Sequence, residues 1–259
     1  SDLDLVFIHY FDEQAETDGP KAITGFEFAV RVAQKFLSLM TTQTLDGRVY
    51  EIDTRLRPSG EAGLLVTSLK AFEQYQLKSA WLWEHQALVR ARSIAGEMDL
   101  RNKFAHLRAQ ILTQPRDEKY VQEEVLKMRQ KMKDHLGSSS EQKKHGIFHL
   151  KQDAGGIVDI EFMAQYMVLA WSGANPDLAH FSDNVRILED AAQAGCLSSE
   201  DATALIHAYL SERAESHRLA LANQSMQVSA ADWRDTREVV CKLWQRLIDP
   251  VSTVVLESE

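Results

Sequence analysis

The sequence predicts an α+β protein, a small mixed head followed by an all-helical body. Strand-type segments crowd into the first quarter of its 259 residues. A helix-type segment separates the first two of them, and from Ser68 onward apolar residues recur at spacings of three and four almost throughout. The expected division is residues 1–105 for the head and 106–259 for the helical body.

The first expected strand is Leu3 to His9, in "SDLDLVFIHY". Phe26, Val30, Ala33, Leu37 and Met40 then fall on one face of a helix, which should pack on the sheet. A second strand is expected over Gly47 to Leu56 ("GRVYEIDTRL"), ended by Pro58 in a "PSG" turn, and a third over Ala62 to Ser68. In the body, "VQEEVLKMRQKM" sets an apolar stripe of Val121, Val125, Met128 and Met132 opposite Lys127, Arg129 and Lys133, a core face against a solvated one. The polar, breaker-rich stretch from Gly137 to Gly146 is expected to be a mobile loop. Trp81 and Trp83 are expected in the core or at the domain junction.

Composition sets limits. With 44% hydrophobic and 26% charged residues the chain can build real cores. A net charge of -9 argues against nucleic acid as the main partner, leaving room for a local basic cleft. Cys196 and Cys241 match no metal or redox spacing and are expected as reduced core thiols. No apolar run suggests a membrane span, so a cytoplasmic protein without membrane partners is expected.

Two aspartates stand out in the first strand. Residues i and i+2 of a strand project to one face, about 6.5–7 Å apart, so Asp2 and Asp4 point together while Leu3, Leu5 and Phe7 face the other way. The second strand places Glu51, Asp53, Arg55 and Arg57 on one face. If the two strands are neighbours, Asp53 approaches the Asp2 and Asp4 pair. Three gathered carboxylates repel and tend to protonate unless a counter-charge is supplied. Mg²⁺ is the natural one: it takes carboxylate oxygens at roughly 2.0–2.1 Å and leaves positions for substrate phosphates. A pair of such ions can activate an attacking hydroxyl and stabilise a departing pyrophosphate. On the pattern alone, a solvated, frayed strand end is the favoured reading.

The other candidates divide in the same way. Arg55 and Arg57 suit phosphate or carboxylate partners, or pair with Glu51, Glu61 or the acidic cluster. Arg90 and Arg92 in "WLWEHQALVRAR" suit phosphate or an acidic partner, or are solvated helix charges. In "KQDAGGIVDIEF", Gly155 and Gly156 before a helix could cradle a phosphate. However, Asp159 and Glu161 already complement the helix dipole there, which favours a Gly-enabled turn that docks the second domain. His145 and His149 lack a third ligand, so a zinc site is not expected.

Four motifs occur in the order seen in one family: "SDLDLVF" (Ser1 to Phe7), "EIDTRLRPSGEAGLLV" (Glu51 to Val66), "WEHQALVRAR" (Trp83 to Arg92) and "AGGIVDIEF" (Ala154 to Phe162). On these residues the chain resembles the glutamine-synthetase adenylyltransferases, bifunctional adenylyltransferase/adenylyl-removing enzymes, over essentially its whole length. The details are most similar to the C-terminal, adenylylating half. The resemblance implies a polymerase-β-like nucleotidyltransferase domain followed by an all-α helical-bundle domain. It implies Mg²⁺-dependent transfer of AMP from ATP to a tyrosine hydroxyl of glutamine synthetase, with a PII-type regulatory protein as a further partner. Asp2, Asp4 and Asp53 become the catalytic, metal-binding triad for two Mg²⁺ ions. Arg55, Arg57, Arg90 and Lys151 become nucleotide-binding candidates, with Asp159 and Glu161 behind them. The related alternatives are the deadenylylating half of the same enzymes and a uridylyltransferase of the PII protein. The family also implies a Gly-containing phosphate-binding turn before the D-x-D strand. The nucleotidyltransferase domain is therefore expected to be N-terminally truncated here, and a catalytically incomplete docking or regulatory fragment is the alternative of a different class.

Overall fold

The computed structural model describes residues 3–12, 14–43, 45, 47 and 50–250. The chain divides into two compact units, Ser1–Ala87 with Ser93–Ile111 and Leu88–Arg92 with Leu112–Glu259. Helices dominate, with a few short strands, a content compatible with the α+β expectation.

The first unit begins with β1 (Leu3–Asp4) and β2 (Phe7–His9), followed by α1 (Gly25–Thr41), β3 (Ile52–Asp53), β4 (Val66–Ser68) and α2 (Leu69–Lys78). Helix α3 (Leu82–Arg90) starts in this unit, and α4 (Met98–Leu112) follows it. The single strand expected over Leu3 to His9 is two segments that change partner: β1 runs parallel to β3, and β2 runs parallel to β4 with Phe7 opposite Val66 and His9 opposite Ser68. Thr24 caps α1, its Oγ1 accepting from Glu27 N at 3.2 Å. The expected face of Phe26, Val30, Ala33, Leu37 and Met40 is its more buried side, and α1 contacts β3 and β4.

The second expected strand is shorter than its sequence suggests. It ends at Asp53, well before Pro58, because Asp53 Oδ1 accepts from Arg55 N at 2.8 Å and turns the chain locally. Ser59 and Gly60 then adopt left-handed conformations, leading into a 3₁₀ turn over Gly60–Ala62. Trp81 and Trp83, expected in the core or at the domain junction, are not core residues: they are exposed at 68% and 41%. Helix α3 instead buries Leu82, Leu88 and Val89 together with the polar Glu84, His85 and Gln86. Glu84 accepts from Trp81 N at 2.8 Å and from Tyr75 Oη at 2.9 Å, and His85 Nε2 meets Gln76 O at 3.0 Å.

The second unit is built round α7 (Ile157–Trp171), whose side chains are buried on nearly every side, as an all-round apolar helix must be. Helices α5 (Glu118–Leu136), α8 (Asn184–Gln193), α9 (Ser199–Leu221) and α10 (Arg234–Leu247) pack on it. Two departures from the expected helical body occur. The stretch Gly137–Gly146, expected as a loop, contains α6 (Ser140–Lys144). A capping box starts it: Ser139 Oγ accepts from Gln142 N at 3.2 Å, and Gln142 Oε1 accepts from Ser139 N at 2.8 Å. The second departure is an antiparallel pair, β5 (Ile147–His149) with β6 (Gln227–Ser229). Phe148, Leu150 and Leu219 form a small core beneath it. Among the described residues no helix is long and apolar enough to cross a membrane.

Candidate active site

Strands β1 and β3 pair with Leu3 opposite Ile52 and Asp4 opposite Asp53. Leu3 N donates to Glu51 O, and Leu5 N to Asp53 O, both at 2.8 Å. Neighbouring strands lie about 4.7–4.9 Å apart, and directly paired residues project to one face. The register therefore sends two half-buried apolar side chains to one side and two carboxylates to the other. Asp4 is exposed there. Asp2, the remaining member of the expected triad, lies outside the described residues. Among the described residues no group of three or more His, Cys, Asp or Glu is gathered to hold a metal.

Asp53 is held by its neighbour. Arg55 Nε donates to Asp53 Oδ2 at 2.8 Å and its Nη2 to the same oxygen at 2.5 Å. These side-chain hydrogen bonds, with the backbone one from Arg55 N, keep the Asp53 carboxyl below its ordinary value. A carboxylate ionised this readily, in register with a second one, fits the oxygen chemistry of a divalent cation. Arg55 itself is largely exposed and can swing away.

Arg57 is used differently. Its Nη1 donates to Thr54 O at 2.8 Å and Thr54 Oγ1 at 2.9 Å, its Nε to Gly63 O at 3.2 Å and its Nη2 to Glu61 O at 3.2 Å. This fork ties the 54–63 loop to itself and holds it behind Asp53. Gly63 is required in that loop, since a Cβ there would sit 1.8 Å from Pro58 O.

Arg90, Lys151, Asp159 and Glu161 belong to the second unit. Arg90 ends α3, with Nη1 buried and unpartnered among the described residues. Lys151 is exposed. Glu161 Oε1 accepts from Tyr209 Oη at 3.5 Å. The Asp159 carboxylate is fully engaged: Oδ1 accepts from Arg129 Nε at 2.5 Å and Oδ2 from Gly155 N at 2.7 Å. The Ala154–Asp159 segment is a tight structural turn rather than an open row of amides. Gly155 N goes to Asp159, Gly156 N to Asp153 O at 3.1 Å, Ile157 N to Leu150 O at 2.9 Å and Val158 N to Lys151 O at 3.2 Å. Both glycines are needed: Gly155 has φ +83° with a virtual Cβ 2.9 Å from Arg237 O, and at Gly156 a Cβ would lie 2.4 Å from Leu150 O.

Arg129, assigned to the solvated face of α5 by its charge, is buried. Besides Asp159 it donates through Nη2 to Gln152 O at 2.8 Å, so it anchors the Gly-Gly turn from α5. Its spacing held the signal, since Val121, Val125 and Arg129 fall four apart on one helix face. Asp153 is the second missed residue. Its oxygens accept from Ser138 N at 2.7 Å and His149 N at 2.8 Å, and these bonds hold its pKa below the usual carboxylate value against the effect of burial.

Residues 1–107 match the family described as glutamate-ammonia ligase adenylyltransferase (GlnE), and residues 126–235 match GlnD PII-uridylyltransferase. The whole chain is 91% identical to part of a bifunctional glutamine synthetase adenylyltransferase/adenylyl-removing enzyme of Acinetobacter baylyi. Along its whole length the chain is thus similar to glutamine-synthetase adenylyltransferases. Over 95% of its length it is also 51% and 48% identical to the bifunctional enzymes so named in Pseudomonas aeruginosa and Pseudomonas putida. It spans 28% of the Acinetobacter baylyi relative and 26% of each Pseudomonas one, so about a quarter of the length of these adenylyltransferases.

Proposed function

We propose that the first unit of this chain is the nucleotidyltransferase core of an enzyme that moves AMP from ATP to a tyrosine hydroxyl of glutamine synthetase. The in-register Asp4 and Asp53 carboxylates carry this reading. In such a core, Asp4 and Asp53, with Asp2, would hold divalent magnesium, which supplies charge neutralisation for the triphosphate and lowers the barrier to hydroxyl attack. The chain's own residues do the positioning. Asp53, ionised under the influence of Arg55, is poised to accept the attacking hydroxyl's proton or to orient that hydroxyl once Arg55 turns outward to a phosphate. Attack at the α-phosphorus with pyrophosphate leaving needs no enzyme nucleophile, so placement of charge carries the rate. Arg57, committed to the loop, keeps Asp53 in register. The family names support a glutamine-synthetase substrate, and similarity of residues 126–235 to a PII-uridylyltransferase supports a PII-type protein as regulator.

The test is incubation with glutamine synthetase, α-labelled ATP and Mg²⁺, using both this chain and the full-length Acinetobacter baylyi relative. Label should appear on the synthetase with the relative, and Asp53→Asn at the matching position should abolish it without loss of fold. Near-normal transfer by that variant would remove Asp53 from the reaction. Phosphate-dependent release of ADP from adenylylated synthetase, without transfer, would assign the deadenylylating half instead.

A further inference from the structure

Glu212 sits midway along α9, fully buried, and neither of its carboxyl oxygens has a hydrogen-bond partner among the described residues. The charged groups round it come from three helices. Asp159 of α7 acts on it unfavourably, and Arg237 of α10 favourably. Cys241 of α10 is buried in the same neighbourhood, where Lys133 of α5 also exerts its charge. The two arginines are occupied elsewhere. Arg129 of α5 is balanced by Asp159, and its unpartnered Nη1 makes no bond to Glu212. Arg237 donates Nε to Ala154 O at 3.3 Å and lies over the Phe148 ring at 4.3 Å. Glu161 of α7 faces α9 through Tyr209, three residues before Glu212. A bare carboxylate enclosed in this way, beside another carboxylate, loses its hydration without gaining a counter-ion.

We propose that Glu212 makes the helical unit a proton-dependent fold: its carboxyl is carried as the neutral acid, and loss of that proton favours separation of α9 from α7 and α10. Burial, with Asp159 adding to it, pushes the Glu212 carboxyl up to about 9. In the unfolded chain the same carboxyl titrates in the ordinary range, about 4.3. Because the folded value is the higher one, stability is greatest below the ordinary range and falls as pH rises toward 9. Between these limits folding takes up one proton, and each pH unit costs tenfold in the folding equilibrium constant. The window covers neutral pH, so the device would tune how readily this unit opens under physiological change. The inference is independent of the proposed transferase activity.

Two measurements on the full chain test it. With ¹³C-labelled glutamate, one side-chain carboxyl should keep the shift of a neutral acid at pH 7, and this resonance should be missing in Glu212→Gln. Hydrogen exchange of α9 and α10 segments should show protection falling about 100-fold more between pH 6.5 and 8.5 in the native chain than in Glu212→Gln, whose amide mimics the neutral acid at all pH values. Absence of a neutral glutamic acid at pH 7 would overturn the proposal, as would equal pH dependence of protection in the two proteins.

Discussion

The Arg129 guanidinium on α5 and the Asp159 carboxylate on α7 form an ion pair from which water is excluded, Nε to Oδ1 at 2.5 Å with both side chains under a tenth exposed. Removing one partner leaves the other charge stranded. Arg129→Ala should therefore destabilise the helical unit by about 3–5 kcal/mol. Arg129→Met with Asp159→Leu, which removes both charges, should recover much of that loss. Urea unfolding followed through the α7 and α10 tryptophans checks the pair.

Gly155 and Gly195 both have positive φ, yet only Gly155 faces another backbone. Gly195→Ala should cost about 1–2 kcal/mol, the intrinsic penalty of the left-handed region. Gly155→Ala meets the same penalty and must also displace Arg237 O, so its loss should exceed that of Gly195→Ala clearly. Melting temperatures of the two variants decide the order.

Arg55 holds the Asp53 carboxyl below its ordinary value. A depressed folded pKa gives stability that is present above the ordinary carboxylate range and lost as pH falls through the folded value. Arg55→Ala should raise the Asp53 pKa toward normal, seen in an NMR titration of the carboxyl. Because Arg55 is exposed, the change in stability should stay within about 1 kcal/mol.

Ser139 opens α6 through a complete capping box. Ser139→Ala should weaken this helix by about 0.5–2 kcal/mol. Hydrogen exchange should rise over residues 140–146 while α7 keeps its protection.

What the sequence made legible follows from what its patterns encode. Period and charge sufficed for α1, for the stripe on α5 and for the approach of Asp53 to Asp4, because paired strands leave few registers that hide Leu3 and Ile52 together. The burial of Arg129 is not legible from local charge, because its partner Asp159 lies 30 residues away. Helix α6 escaped because "GSSSEQKK" has loop composition, although Ser139 and Gln142 carry a cap spacing. Strands β5 and β6 are three residues each and gain their order from Phe148, Leu150 and Leu219, a cluster that no local window contains.

The path of the chain through its two units has a practical outcome. Residues Leu88–Arg92 belong to the second unit while the stretches on either side, up to Ile111, belong to the first, and the passage is made inside the continuous helix α3. Neither unit is a contiguous piece of sequence. A single cut after Ala87 misplaces residues 93–111, while one after Ile111 leaves Leu88 and Val89, both buried, on the wrong fragment. Each would then expose about 1.5–3 kcal/mol worth of apolar side chain. The molecule is threaded like a stitch, and separately expressed halves should be sticky and poorly behaved unless α3 is duplicated in both.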